Sequence, residues 1–190
     1  GDDTYRAGTG RDIINGGSGT DTVDYGALGA VFADLAAGRA YKDDQSFDSL
    51  YDIENILGSR RDDALDGNSS NNLFAGNWGN DTLSGRGGDD VLLGGRGDDT
   101  LIGGTGSDTM EGGAGDDIYR FERGDARGAG PAIAFDLVRE SGGSDRLVFA
   151  PGIARSQVTL SIVGLDLHVD ISETSSGAFD RIVIEGWQAT

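Results

Sequence analysis

The chain holds no cysteine, two prolines, two tryptophans and one histidine in 190 residues. Without cysteine there can be no disulfide, no thiolate-bound zinc and no thiol nucleophile. Basic residues are scarce as well, with 15 Lys and Arg against 33 Asp and Glu, and the resulting net charge of -18 lacks the basic stripe that phosphate binding requires. Nucleic acid is therefore excluded as a partner. No apolar run approaches membrane-spanning length, so no transmembrane segment is expected, and no basic-apolar leader opens the chain. No Ser-His-Asp order, phosphate loop or H-E-x-x-H motif occurs either, and the chain reads as non-catalytic. Gly1 falls inside a repeat, which reads as a fragment of a longer protein.

What the chain does have is glycine, 34 of them, arranged with acids in register. Disordered glycine-rich tracts usually carry proline and lack ordered apolar positions, so the recurrence here points to repeat architecture. The clearest stretch is GGRGDDTLI, GGTGSDTME, GGAGDDIYR from Gly94, with Asp99, Asp108 and Asp117 at the sixth position. Counting back by nines finds GRGGDDVLL from Gly85, GNWGNDTLS from Gly76, GNSSNNLFA from Gly67 and GSRRDDALD from Gly58. An earlier array holds GGSGTDTVD from Gly16, AGTGRDIIN from Ala7 and a truncated copy at Gly1. The eighth positions, Tyr5, Ile14, Val23, Leu65, Phe74, Leu83, Leu92, Leu101, Met110 and Tyr119, can all fill a core. Carboxylates this closely spaced repel one another when folded unless cations lie between them, and hard oxygen ligands favour Ca²⁺ over Zn²⁺.

These nonapeptides, G-G-x-G-x-D-x-U-x, resemble the calcium-binding repeats of the RTX family. The resemblance implies an all-β fold: a parallel β-roll, a right-handed β-solenoid, whose successive strands alternate between two sheets. The roll is expected over residues 1–120, as arrays 1–24 and 58–120 joined by an expanded coil over 25–57. In that coil Val31 to Leu35 and LYDIENIL from Leu50 read as strands, and Lys42-Asp43-Asp44 as a polar loop. The segment VDYGALGAVFADLAAG with IENILGS resembles one found between RTX blocks. Residues 121–190, with AFDLV, DRLVF, QVTLSIV, LDLHVDI and DRIVIEGW, resemble the mostly β C-terminal domain that caps such arrays, covering the sheet edges an open solenoid end exposes.

The family places each ion between two same-side turns. The earlier turn supplies the carbonyls of its second and fourth residues and its Asp; the later turn supplies the first and third carbonyls and its Asp. Carried over, one ion takes Gly95, Gly97 and Asp99 with Gly112, Ala114 and Asp117. A second takes Asn77, Gly79 and Asp81 with Gly94, Arg96 and Asp99, and a third Arg86, Gly88 and Asp90 with Gly103, Thr105 and Asp108. A fourth takes Ser59, Arg61 and Asp63 with Gly76, Trp78 and Asp81, and a fifth, N-terminal one takes Gly1 and Asp3 with Gly16, Ser18 and Asp21. Asn72 replaces Asp where Asn68 and Ser70 face Gly85, Gly87 and Asp90, so that site is expected to be weak or empty. Asp12 has no same-side repeat in its array and is expected to find its partner in the Asp43 to Glu54 loop. The total is about five or six Ca²⁺ ions, held at the weak affinities of extracellular modules.

Other residues carry less. His168 is a lone strand histidine with no assigned role, Trp187 is expected to anchor the cap, and Arg60, Arg61, Arg86 and Arg96 trim repulsion among the acids. Trp78 at a turn could lie over its neighbour or stack on a sugar. The resemblance implies a secreted module of a larger Gram-negative protein, exported by type I secretion machinery and folding on calcium outside the cell. A receptor- or glycan-binding segment of a toxin or adhesin, and an accessory module of a polysaccharide-modifying enzyme, are the competing readings.

Overall fold

The computed structural model describes residues 1–122, 124, 135–172 and 179–185. The first array gives β1 (Thr4–Arg6), β2 (Ile13–Asn15) and β3 (Thr22–Asp24). The interruption gives β4 (Val31–Asp34), β5 (Arg39–Lys42) and β6 (Phe47–Tyr51). The second array runs through β7 (Asn55–Leu57), β8 (Ala64–Asp66), β9 (Leu73–Trp78), β10 (Thr82–Gly87), β11 (Val91–Arg96), β12 (Thr100–Thr105), β13 (Thr109–Ala114) and β14 (Ile118–Phe121). Beyond it lie β15 (Asp136–Arg139), β16 (Arg146–Phe149), β17 (Val158–Val163), β18 (Asp166–Ser172) and β19 (Phe179–Ile184).

Strand direction follows from the repeat. Each turn reverses the chain into a short strand whose eighth residue points inward while the seventh and ninth lean outward, the two-residue period of a pleat. Val23, Leu65, Phe74, Leu83, Leu92, Leu101, Met110 and Tyr119 are accordingly all buried in one cluster, with Ile14 beside them and Tyr5 half-buried at the end. Outside β4–β6 and β17–β19, successive strands fall in opposite sheets, ordered β1-β3-β7-β9-β11-β13-β15-β19-β18-β17 and β16-β14-β12-β10-β8-β4-β5-β6-β2. Same-sheet neighbours in the second array pair in parallel with an 18-residue offset, as in Leu83 opposite Leu101 and Leu92 opposite Met110. The architecture is the expected parallel β-roll, with one inward side chain per strand stacked into a thin core.

The interruption differs from a simple widened coil. Here β4, β5 and β6 form an antiparallel meander spliced into one sheet, β4 parallel to β8 and β6 parallel to β2. LYDIENIL is therefore two strands, β6 and β7, which belong to opposite sheets. The expected polar loop is corrected at its first residue: Lys42 ends β5 and is buried, because its ammonium turns inward to oxygen ligands rather than outward to water. On the outer face, Phe47 packs 5.7 Å from Tyr41 and carries the guanidinium of Arg11 4.3 Å from its ring centroid.

Past Phe121 the parallel ladders continue. Val138 lies opposite Met110 and Leu147 opposite Tyr119, an offset of 28 in place of 18, so β15 and β16 add one further coil after an insertion. β19 then pairs in parallel with β15, and β17, β18 and β19 make an antiparallel edge. Val169, Ile171, Ile182 and Ile184 join the core. His168 is half-buried and sits opposite Ser161 and Val183, while its neighbour Asp170 holds Arg181 at 2.7 Å. Trp187 lies outside the described residues.

Candidate metal centre

The turns stack with the strands. In the turns from Gly76 onward the second and fourth positions adopt left-handed angles, at Asn77 (φ 76°) and Arg86 (φ 71°) as at Gly95 and Gly97, whereas Ser59, Arg61, Asn68 and Ser70 in the two preceding turns do not. Glycine is required at the fourth position by closeness: a Cβ on Gly97 would lie 2.0 Å from the carbonyl oxygen of Gly79 in the turn below. Carbonyls at these positions therefore align in columns along each edge of the roll.

Two hydrogen-bond ladders tie the turns together and run in opposite directions. In the inner one, each sixth-position amide donates to the carboxylate of the next same-side turn: Asp63 to Asp81 at 2.7 Å, Asp81 to Asp99 at 2.7 Å, Asp99 to Asp117 at 2.8 Å. The opposite edge repeats this from Asn72 to Asp90 at 2.7 Å and Asp90 to Asp108 at 2.9 Å. The outer ladder uses fifth positions: the amides of Asn80, Asp98 and Asp116 donate back to the side chains of Asp62, Asn80 and Asp98. Both ladders use one carboxylate oxygen per Asp and leave the other.

At Asp21, Asp81, Asp90, Asp99 and Asp117 the remaining Oδ2 is buried without a hydrogen-bond partner. Such an atom is costly unless something positive meets it. Burial, ahead of the neighbouring acids, pushes Asp81 and Asp99 up to about 7 and Asp90 to about 6, and raises Asp63 and Asp117 too. First-position glycines leave room around these oxygens: a Cβ on Gly76 would fall 2.1 Å from Asp81 Oδ2 and 2.8 Å from the carbonyl oxygen of Gly94. Third-position carbonyls of Arg96, Thr105 and Ala114 each accept one amide hydrogen bond and retain a lone pair. Unpartnered carboxylate oxygens beside carbonyl oxygens with a spare lone pair, with no nitrogen or sulfur ligand among them, fit a hard cation such as Ca²⁺.

The three best-formed sets come together along the two edges: Gly95, Gly97, Asp99 with Gly112, Ala114, Asp117; Asn77, Gly79, Asp81 with Gly94, Arg96, Asp99; and Arg86, Gly88, Asp90 with Gly103, Thr105, Asp108. The Asp3 amide reaches Asp21 at 2.8 Å, and the Gly1 ammonium contacts the Ser18 carbonyl, with Gly16 packed on Asp21. The Ser59 turn is different, because its own Ser59 amide and hydroxyl take both oxygens of Asp63, at 2.5 and 2.9 Å, and Arg61 lacks the left-handed angle of the fourth-position glycines from Gly79 onward. Asn72 is likewise internally satisfied: its Nδ2 donates to the Glu54 carbonyl at 2.8 Å and its Oδ1 accepts from Asn68. The Trp78 ring lies exposed, with the guanidinium of Arg96 4.9 Å and that of Arg60 5.9 Å from its centroid. Arg86 reaches out of the turn to Asp66 and Asp34.

Several participants were not read from the sequence. Glu54 takes the place of a sixth-position Asp, accepting from the Asp21 amide at 2.8 Å, whereas Asp12 finds its partner within the Asp43 to Glu54 loop as expected, its amide donating to Asp48 at 2.9 Å. Beyond the second array, Glu140 to Asp145 forms another turn, in which Asp145 accepts from the Asp117 amide at 2.9 Å and Gly143 packs on the Gly115 carbonyl. Carboxylate oxygens of Asp117, Glu140 and Asp145 lie within 4.8 Å of one another, and Tyr119 donates its hydroxyl to Glu140. Burial pushes Glu140 up to about 7. The usable signal was ESGGSDRLV itself, a nonapeptide offset from the array by the insertion.

A parallel β-roll whose stacked turns present carboxylate and carbonyl oxygens inward defines a class of cation-binding β-solenoids. The chain belongs to the family of RTX calcium-binding nonapeptide repeats, whose model (four copies) matches residues 1–27, 57–92 and 93–125. Similar solved structures include the extracellular lipase LipA from Serratia marcescens, 20% identical over 98% of this chain and 34% of the lipase, with a TM-score of 0.26. The AlgE6R3 subunit of the Azotobacter vinelandii mannuronan C5-epimerase is 25% identical over 68% of this chain and 73% of its own, with a TM-score of 0.32. The chain thus spans about a third of the lipase's length. Among the described residues, no helix is long and apolar enough to cross a membrane.

Proposed function

We propose that the chain is a calcium-dependent folding module of a larger secreted protein, unfolded where calcium is scarce and folded once calcium is supplied outside the cell. The observation that carries the reading is the set of buried Oδ2 atoms without partners at Asp81, Asp99 and Asp117 along one edge of the roll and at Asp90 on the other. Ionised and unmatched, they oppose the fold; matched by cations between successive turns, they hold each coil to the next. Binding then acts as folding free energy, because the unfolded chain offers no preformed site. An unfolded chain at low calcium suits passage through a type I secretion channel, and the folded module then stabilises the parent protein. The module itself acts without catalysis.

The test is far-UV circular dichroism of the chelated protein titrated with Ca²⁺. Disorder should give way cooperatively to β structure. A chelated protein as fully folded as the loaded one refutes the proposal.

A further inference from the structure

The turn holding Asp12 is built like its neighbours but treated differently. It carries glycines at its second and fourth positions, Gly8 and Gly10, and Asp12 at the sixth. The Nζ of Lys42 sits among these same groups: 2.9 Å from the Gly8 carbonyl oxygen, hydrogen-bonded to the Gly10 carbonyl, and 3.8 Å from Asp12 Oδ2. From the other side Asp48 Oδ1 accepts from Nζ at 2.7 Å, and the same oxygen accepts the Asp12 amide in the ladder. The Lys42 side chain is 1% exposed. A buried ammonium needs oxygen partners for its three protons, and two carbonyls with a carboxylate supply them.

The meander explains how it gets there. β5 runs antiparallel beside β6, so the last residue of β5 reaches across the end of β6 to the turn stacked beyond it, where an uninterrupted roll would have no chain. The remaining polar groups around the ammonium have partners within the chain: Tyr25 donates its hydroxyl to Asp48 Oδ2 at 3.2 Å, Ser46 donates to the Gly10 carbonyl at 2.8 Å, and Asp44 accepts the Gly10 amide at 3.1 Å. Asp48, unlike Asp81 or Asp99, has no unpartnered buried oxygen.

We infer that Lys42 is a tethered cation standing in for a metal ion at the Asp12 turn, so that this coil takes no calcium and is held by the chain's own ammonium. The inference rests on the calcium reading of the other turns. It replaces the expectation that Asp12 is a calcium ligand, because the ammonium occupies the oxygen cage and its charge repels a second cation. It also assigns the meander a purpose, since its hairpin delivers the lysine.

Calcium stoichiometry by equilibrium dialysis at saturating Ca²⁺, with circular dichroism on the same samples, tests this on the whole chain. Lys42→Ala, which empties the cage, should fold in calcium and bind one ion more than the wild type. Lys42→Met, which refills the space with an apolar end, should gain none, and Lys42→Ala with Asp48→Asn should lose the extra ion. A folded Lys42→Ala with an unchanged count overturns the inference, as does an extra ion that persists in the double variant, or a Lys42→Ala chain that calcium cannot fold. A wild type that binds no calcium at all would instead remove the calcium reading, so the two failures are distinguishable.

Discussion

Replacing Asp99 by asparagine should change sign with calcium. Asp99 lies between Asp81 and Asp117 in the inner ladder; its Oδ1 accepts the Asp81 amide at 2.7 Å and its Oδ2 is buried without a partner. Its carboxyl, pushed by burial from 3.8 to about 7, favours the protonated form in the cation-free fold. For a group whose folded pKa is raised, the stabilising contribution is whole below about pH 4 and is lost as pH climbs to about 7. A rise of that size corresponds to about 4 kcal/mol of ionisation cost at pH 8. The asparagine side chain keeps the acceptor, removes that cost, and leaves an unpaired amide hydrogen at about 1–3 kcal/mol, a net gain of about 1–3 kcal/mol for the chelated fold at pH 8. Loaded with calcium the balance reverses. Two turn pairs each lose a charged ligand, at about 1.5–3 kcal/mol apiece, so the folding midpoint should move several-fold or more toward higher calcium. The assay is far-UV circular dichroism at pH 5 and pH 8 in chelator, followed by a calcium titration at pH 8. An unchanged calcium midpoint, or less β signal than wild type in chelator at pH 8, refutes the reasoning.

Further outcomes follow from the same geometry. Asp99→Ala should raise the calcium midpoint more than Asn72→Ala, since Asn72 already commits its amide to the Glu54 carbonyl; equal midpoints in parallel titrations count against the stacking. In chelator the wild type should lose residual β structure as pH climbs from about 4 to about 7, because Asp81, Asp90 and Asp99 would have to ionise while buried; a far-UV circular dichroism signal in chelator that does not fall between about pH 4 and 8 contradicts the raised carboxyls. Gly97→Ala, at φ 124° and with the Gly79 carbonyl 2.0 Å from the added carbon, should lower the melting temperature of the loaded protein well beyond Gly152→Ala, where φ is 108° but the space is open. Leu92→Ala, fully buried, should cost about 2–5 kcal/mol in denaturant melts, against about 0.5 kcal/mol or less for Leu160→Ala on the exposed edge strand.

The parts of this protein that were legible in its sequence are those that obey the nine-residue count. An apolar eighth residue cannot face water in every coil, so Leu83, Leu92, Leu101 and Met110 announce the core. An acid at every sixth position but Asn72 likewise announces the ladders between Asp63 and Asp117. Where the count breaks, the same geometry is reached by other chemistry. Asp21 finds its acceptor in Glu54, 33 residues on, and Asp117 finds Asp145 at 28, because hydrogen bonding requires a carboxylate at a point in space rather than at a place in a repeat. The fifth-position ladder through Asp62, Asn80 and Asp98 was hidden for another reason: in a turn, Asp and Asn are common enough that their period looks like turn preference.

Lys42 is the sharpest case of the same rule. Beside two aspartates in a short polar stretch, a lysine reads as solvated, and its position in the sequence offers no reason to think otherwise. Only the antiparallel course of β5 brings its ammonium to the Gly8 and Gly10 carbonyls and to Asp48. What the fold requires at each turn is positive charge facing converging oxygens. On the proposed reading most coils leave that charge to be supplied by the medium and this one carries its own, which would place the boundary between calcium-dependent and calcium-independent coils inside the roll, at the meander.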